Sequence, residues 1–222
     1  MKKLLLTFVL GALGILSILE ASDSVYAGIV KPLYSTQNSQ KVIGKLLPTS
    51  EVKIIKKSGN KVLLSFQGYI QKGIPNAIYF TMGQRILVAG LIKNADVPFK
   101  ILKTQAAKES QTGDSKISLS HLKPKTGKDA QTLYQKISVE LWSDDGGFSS
   151  DLKSLYSKAD SLYSQNCSIC HALHQPTEFK ANQWPAVIRS MSSRTGLNKD
   201  EIYLVTQYLQ KHASDTQIKE LK

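Results

Sequence analysis

The stretch VLLSFQGYI, residues 62–70, is rich in aliphatic and aromatic side chains and ends at a Gly-Tyr-Ile corner. Ser58-Gly59-Asn60 precedes it, and turn-forming residues beside an apolar run predict a β-strand. Two similar runs occupy residues 42–47 and 52–56, and Pro48-Thr49-Ser50 separates them. Several short strands at close, regular spacing predict a small barrel or sandwich.

A second, looser copy of this pattern follows in residues 79–152. The run at 98–103 corresponds to 52–56, and ISVELW at 137–142 corresponds to 62–66. Two arrangements fit the repeat: two small β modules, or one larger irregular β domain.

The first unit, with its Lys-rich turn between two strands, resembles bacterial SH3-like modules. That resemblance implies one module at 28–78 and another at 79–150. Residues 104–131, rich in Lys, Ser, Thr, Gly and Gln, are predicted to form a long loop in the second module. Nothing in 28–150 has a catalytic pattern, so we expect a docking or spacing platform.

Composition excludes several classes of protein. The chain has 222 residues, 29 Lys and Arg against 17 Asp and Glu, a net charge of +12 and 2 Cys. Two cysteines exclude a disulfide-dense scaffold, and 41% hydrophobic with 21% charged residues is an ordinary globular balance. The basic residues are spread along the chain, which argues against a nucleic-acid partner and favours an acidic protein, a membrane surface or simple solubility.

The N-terminus has the pattern of an export signal. Met1-Lys2-Lys3 precedes an apolar segment at 4–19, and small residues at Val25 and Ala27 predict cleavage after Ala27. Residues 1–27 would then be a signal peptide and the protein periplasmic, with the charge still +12. The alternative is an uncleaved membrane anchor, although 16 apolar residues are fewer than the roughly 20 that span a bilayer.

Both cysteines lie in the C-x-x-C-H motif Cys167-Ser168-Ile169-Cys170-His171. This spacing lets two thiols add to the vinyl groups of a haem while His171 presents its imidazole to the iron. A thioredoxin-like redox pair would need a βαβ context, and a zinc site would need two further ligands. The motif therefore predicts one haem c and an electron-transfer protein, with no catalytic residue of its own.

The sixth ligand of the iron must approach from the face opposite His171. Met191 is favoured, because it continues a helical stripe with Trp184 and Ile188 in which the expected core is largely haem. His174 lies only three residues beyond the proximal histidine and is awkwardly placed. His174 and His212 remain alternatives, and so does an open site.

Helical patterns surround the motif. An amphipathic helix is predicted over about 151–165, and the Asn-x-x-Glu pattern at 198–201 predicts the capped start of another. Residues 151–222 are thus expected to form an all-α cytochrome c-type haem domain, in which Trp184 and Tyr208 could pack against the haem. The complete prediction is an α+β multidomain protein with SH3-like β-barrel modules followed by that domain.

The chain is similar to the C-terminal monohaem part of the TorC-type c-type cytochromes. The similarity rests on CSICHALH at 167–174, Phe179, ANQWP at 181–185, Met191 and TQYLQKHA at 206–213. It implies a role beside periplasmic trimethylamine N-oxide reductases, which are molybdopterin enzymes of anaerobic respiration. Family members also carry a membrane-anchored pentahaem domain that takes electrons from quinol, and this sequence has none of those motifs.

The resemblance therefore implies a companion cytochrome for a molybdopterin N- or S-oxide reductase. Its electrons would come from an upstream quinol-linked cytochrome or membrane complex. The main alternative is a haem-based sensor, or a maturation or docking partner of that reductase. Cell-wall binding by the β modules is a third possibility, and an independent enzyme such as a peroxidase is the least favoured.

Overall fold

The computed structural model describes residues 24–107, 132–169 and 171–216. The strands in these ranges are β1 (Ser24–Ala27), β2 (Lys31–Leu33), β3 (Gly44–Leu46), β4 (Glu51–Ser58), β5 (Lys61–Gln71), β6 (Ile74–Tyr79), β7 (Leu87–Leu91), β8 (Lys100–Ala107), β9 (Thr132–Asp144) and β10 (Phe148–Ser149). The helices are α1 (Leu152–Cys167), α2 (Trp184–Ser192) and α3 (Lys199–Lys211), with a 3-10 turn at Pro176–Glu178.

Strand β5 is the centre of one antiparallel sheet. It pairs with β9 over 11 consecutive positions, from Lys61 opposite Asp144 to Gln71 opposite Tyr134. The other edge of β5 pairs first with β4 and then with β6. The strand order is β10-β1-β4-β5-β6-β7-β3-β2, and β9 lies between β5 and β8.

The sheet curls back on itself around one apolar core. After β2, the backbone N–H of Tyr34 donates to the carbonyl of Trp142 on β9 at 2.8 Å, and the reverse bond measures 3.0 Å. Alternate side chains of β5 and β9 point into the enclosed core, as the period of two in a strand requires. Its fully buried members from these two strands are Val62, Leu64, Ile137 and, at 2% exposure, Phe66, Val139 and Leu141.

The predicted fold class is wrong in its β half. The sequence pattern suggested separate SH3-like barrels, but the strand at 137–142 belongs to β9 and pairs with β5 of the supposed first module. The backbone N–H and C=O groups of a buried strand need hydrogen-bond partners, because water cannot reach them. Here β5 and β9, from the two halves of the β region, supply these partners to each other. The observed β part is a single sheet with a single core.

The prediction of an all-α haem domain is also wrong, because the three helices pack onto the sheet. Ile86, just before β7, is fully buried in the same apolar cluster as Cys167 and Trp184. At the joint, Gln210 Nε2 donates to the carbonyl of Ala181 at 3.0 Å and lies 3.4 Å from that of Arg85. The helices and the sheet therefore share buried surface.

Two predicted segments fall partly outside the described ranges. Strand β8 extends to Ala107, so the first four residues of the predicted loop are strand, and residues 108–131 lie outside the described residues. The apolar segment at 4–19 also lies outside them. Among the described helices, none has both the length and the apolar character needed to cross a bilayer.

The predicted cleavage point lies within the fold. Ala27 is fully buried at the end of β1, which pairs with β4 on one edge and with β10 on the other. Cleavage after Ala27 would therefore remove a strand from between two others.

We expect a chain that begins at Gly28 to have a lower melting temperature than one that begins at Ser24. The shorter chain loses the hydrogen bonds of β1, each worth about 1 kcal/mol net. Thermal unfolding of the two holoproteins tests this expectation, and equal melting temperatures would contradict a stabilising role for β1.

Candidate haem-attachment site

Helix α1 carries Cys167 to the edge of the apolar cluster. The helix begins at an N-cap, where Asp151 Oδ1 accepts a hydrogen bond from the backbone N–H of Lys153 at 2.9 Å. From Tyr156 onward its buried side chains recur every three or four residues and end with Cys167, the last residue of the helix. The Cys167 side chain is buried, and desolvation raises the pKa of its thiol.

The residues of the motif that follow Cys167 and are described are exposed to solvent. Ile169 is 77% exposed, and His171 is also exposed, whereas Cys170 lies outside the described residues. Nδ1 of His171 lies 2.8 Å from the carbonyl oxygen of Ala172. With the proton on Nδ1, this nitrogen donates to that carbonyl and Nε2 keeps its lone pair for a metal.

Trp184 is the centre of the apolar cluster. It is fully buried, with its ring edge-on to Phe179 at 5.0 Å and to Tyr163 at 6.1 Å between centroids. Its Nε1–H donates to the carbonyl of Pro176 at 3.0 Å. This bond ties the loop that follows the motif to the start of α2.

Tyr163 fixes the same loop from the side of α1. Its hydroxyl donates to the backbone carbonyl of His174 at 2.9 Å, and desolvation raises the pKa of Tyr163 to about 12. The imidazole of His174 lies 5.4 Å from that of His171 and is bound through Nδ1 to Glu178 Oε1 at 2.8 Å. The Glu178 carboxylate and the hydrogen bond from Tyr163 to the loop backbone together hold His174 beside His171.

The structure separates two of the candidate sixth ligands. Met191 is half-buried on α2 and packs against the cluster that contains Cys167 and Trp184. His212, at the C-cap of α3, instead packs its ring 4.8 Å from Tyr156 and 4.4 Å from Tyr208. Met191 thus packs directly against the cluster that contains Cys167, whereas the described ring contacts of His212 are with Tyr156 and Tyr208.

Tyr208 is less central than the sequence suggested. Its ring lies between two clusters, and its hydroxyl donates to Asp160 Oδ1 at 2.9 Å on the exposed side. Desolvation, with this bond as a smaller cause, raises the pKa of Tyr208 to about 12. Tyr208 therefore joins α3 to α1.

The donor set and its surroundings fit a covalently held haem. The Cys167 thiol lies on the apolar cluster, and the Met191 thioether packs against the same cluster. The His171 imidazole, four residues after Cys167, is exposed and uses Nδ1 for its described hydrogen bond, which leaves Nε2 for a metal. Several apolar side chains bordering the cluster are only partly buried; they include Leu173, Phe179, Val187, Leu197 and Ile202. Partly exposed apolar surface is what a macrocycle would cover.

Sequence reasoning missed the buried lysines of the described residues, which are Lys31, Lys61 and Lys211. Lys211, on the last turn of α3, is 3% exposed, although lysines are usually solvated. Leu204 and Gln207 precede it by seven and four residues and are also buried, so its place on the inner stripe of the helix was readable from the spacing.

Family models match both parts of the chain. The model described as TorC third cytochrome c domain matches residues 19–148, and the model described as dihaem cytochrome c matches residues 163–221. The first match contains no cysteine, and the second contains the single C-x-x-C-H motif. The similarity thus includes the β-rich part, for which the sequence had suggested only SH3-like modules.

The curated relatives that the chain matches are also cytochrome c-type proteins. The chain is 29% identical over 198 residues to the cytochrome c-type protein TorC of Escherichia coli O157:H7, and 28% identical over 173 residues to the cytochrome c-type protein TorY of Haemophilus influenzae. These alignments cover 89% and 77% of this chain but 46% and 41% of the relatives. The chain therefore spans less than half the length of these relatives, and no solved structure matches it.

Replacement of Trp184 by Ala is expected to lower the free energy of unfolding by about 3–5 kcal/mol, because a large buried side chain and its hydrogen bond are lost. Val42→Ala is the matched control, since its side chain is 48% exposed, lies outside the haem-attachment motif and should contribute only about 0.5 kcal/mol. Denaturant unfolding of the holoproteins measures both. Similar losses in the two variants would show that Trp184 is not the centre of this core.

Proposed function

Because this chain belongs to the family of the TorC third cytochrome c domain, a c-type cytochrome family, we propose that it passes single electrons to a molybdopterin N- or S-oxide reductase of the trimethylamine N-oxide type. The observation that carries this proposal is the placement of Cys167 and Met191 on one apolar cluster, next to an exposed His171. Its setting would be the periplasm, in anaerobic respiration. Its electrons would come from an upstream quinol-linked cytochrome or membrane complex.

The roles of the residues follow from their chemistry. Cys167 and Cys170 would form the two thioether bonds, and His171 would bind the iron through Nε2. Haem c supplies a one-electron Fe(II)/Fe(III) couple when bound. The apolar cluster would shield the bound group from water, and the exposed position of Ile169 would leave the attachment loop accessible to a partner.

One haem is the number that this chain supports. Both cysteines belong to a single motif, even though one matching family model is described as dihaem. The β sheet, which has no cysteine, would serve as a docking unit held against the haem-binding helices.

Met191 is the proposed sixth ligand, and two contacts argue against the histidines. His174 is hydrogen-bonded to Glu178 and lies close to His171. As sixth ligand, His174 would have to reach the face of the haem opposite His171. His212 packs between Tyr156 and Tyr208. Thioether ligation would raise the potential relative to two histidines, because it favours Fe(II).

The surface charge suits an acidic partner. Lysines are exposed along β4 and in the loops, as at Lys53, Lys56 and Lys93, and the whole chain carries +12. Charge of one sign steers an oppositely charged partner and makes association dependent on salt.

Met191→Ala is expected to remove the charge-transfer band between Met and iron, to open the iron to carbon monoxide and to lower the potential by more than about 59 mV, a tenfold change for a one-electron couple. Visible spectra of the oxidised, reduced and carbon monoxide-treated holoproteins, with redox titration, measure these changes. His174→Ala is the matched control and should leave the band in place. If the band and the potential changed only in the His174 variant, the assignment of Met191 would be wrong. Rapid carbon monoxide binding by the unmodified protein would instead favour the alternative role as a haem-based sensor.

Electron transfer is tested by mixing the reduced holoprotein with trimethylamine N-oxide reductase in the absence of oxygen. We expect oxidation of the cytochrome only when reductase and trimethylamine N-oxide are both present, with a rate that falls about tenfold or more from low to high salt. Cys167→Ala should contain much less covalent haem and carry correspondingly fewer electrons. Reduced protein that stayed reduced with active reductase and substrate would refute the proposed function.

A further inference from the structure

A cavity of about 500 Å³ lies where the start of α1 and the end of α3 pack on the sheet. Its described lining contains none of the residues of the haem-attachment cluster. We propose that this cavity binds a small aromatic anion and that Lys211 holds the anionic group.

Lys211 is a buried cation whose described partners are all neutral. Its Nζ donates to the carbonyl and to the hydroxyl of Thr49, both at 2.9 Å, and lies 4.6 Å from the centroid of the Phe80 ring. No described carboxylate lies within ion-pair distance, and Glu51 acts only as a more distant charge. An ammonium group has three donors, so one remains for a ligand.

The charged side chains of the cavity wall are mostly positive, as Lys211 is when protonated. Desolvation lowers the pKa of Lys211 to about 7, since no adjacent anion compensates for burial. The other charged side chains on the wall are Glu51, Lys53 and Lys136. Lys53 and Lys136 outnumber the single carboxylate, and Lys211 adds its positive charge as the pH falls below about 7, so an anionic ligand would both neutralise the wall and favour the protonated Lys211.

Thr49 holds a strained conformation to make these contacts. Its φ is 62°, in the left-handed region that a β-branched residue rarely adopts. Its N–H donates to the carbonyl of Ala27 at 2.7 Å, which fixes the loop against β1. Such strain persists where the surroundings enforce it, and it is frequent at ligand sites.

The walls suit a flat apolar body. Tyr26, Phe66, Tyr69, Phe80 and Tyr156 all line the cavity, and Tyr156 and Phe66 are buried. The volume lies within the range of roughly 300–1,000 Å³ found for small-molecule sites. Aromatic walls around one fixed cation select an aromatic carboxylate or sulfonate rather than a small inorganic anion.

The test is isothermal titration calorimetry of the holoprotein with 1-naphthoate, compared with the uncharged 1-naphthalenemethanol. We expect one naphthoate per chain, bound at least tenfold more tightly than the alcohol. Absence of naphthoate binding, or equal affinity for the alcohol, would overturn the proposal.

Two variants separate a ligand-binding Lys211 from one that only holds the Thr49 loop. Lys211→Met keeps the buried aliphatic stem and should weaken naphthoate binding at least tenfold. Ser65→Trp introduces a large ring into the cavity from β5 while keeping Lys211, and it should abolish binding in a protein whose cooperative thermal unfolding shows that it is folded, so the proposal can be tested even if the Lys211 variant does not fold. Lys93→Met is the control, because Lys93 is exposed and does not line the cavity, and it should bind naphthoate as the unmodified protein does.

Unaltered naphthoate binding in the Lys211 and Ser65 variants would show that naphthoate binds elsewhere and would refute this site.

Discussion

The pairing of β5 with β9 is the interaction on which the structure depends. Its 11 residue pairs join segments separated by as many as 83 positions in the chain. At one end of the ladder Lys61 Nζ lies 2.8 Å from Asp144 Oδ1 and 3.2 Å from the centroid of the Tyr34 ring. The core forms only when both strands are present, because β5 and β9 each contribute part of its apolar face. Pairing across such a separation carries a loop-closure cost that local helix formation does not.

The helical layer depends in turn on the sheet. Tyr26 of β1 packs on the cluster of Leu155, Ala159 and Leu204, while Ile86 enters the cluster around Trp184. Backbone and side-chain hydrogen bonds, such as that of Lys211 with Thr49, cross the same joint. Buried contacts therefore set the orientation of the haem motif relative to the sheet. Under the proposed function, a partner that docked on the sheet would therefore approach the attachment motif in a defined orientation, which favours electron transfer over a loosely tethered arrangement.

Helix α1 connects the two proposed sites. Its N-terminal end lines the cavity through Leu152 and Tyr156, and its C-terminal end carries Cys167. Tyr156 and Cys167 are 11 residues apart, which at 1.5 Å per residue is roughly 16 Å, too far for a ligand of the size of naphthoate to touch both. The two sites use different chemistry: soft thiol, thioether and imidazole donors on an apolar cluster at one end, and a buried ammonium among aromatic rings at the other. A ligand in the cavity would contact both α1 and α3 and could influence the haem only through those helices.

The sequence by itself determined the features whose physics is local. Covalent attachment requires two cysteines and a histidine within five positions, and the capping box at Asn198 and Glu201 satisfies backbone groups within one turn; the structure has this cap. The strands were visible as short apolar runs, but the choice of partner strand was not, because the runs of both halves are equally able to pair. Only the tertiary structure joined β5 to β9, placed the helices on the sheet and buried Lys211. Strand pairing and burial of a charge depend on which distant surfaces meet, and that information is not contained in the spacing of neighbouring residues.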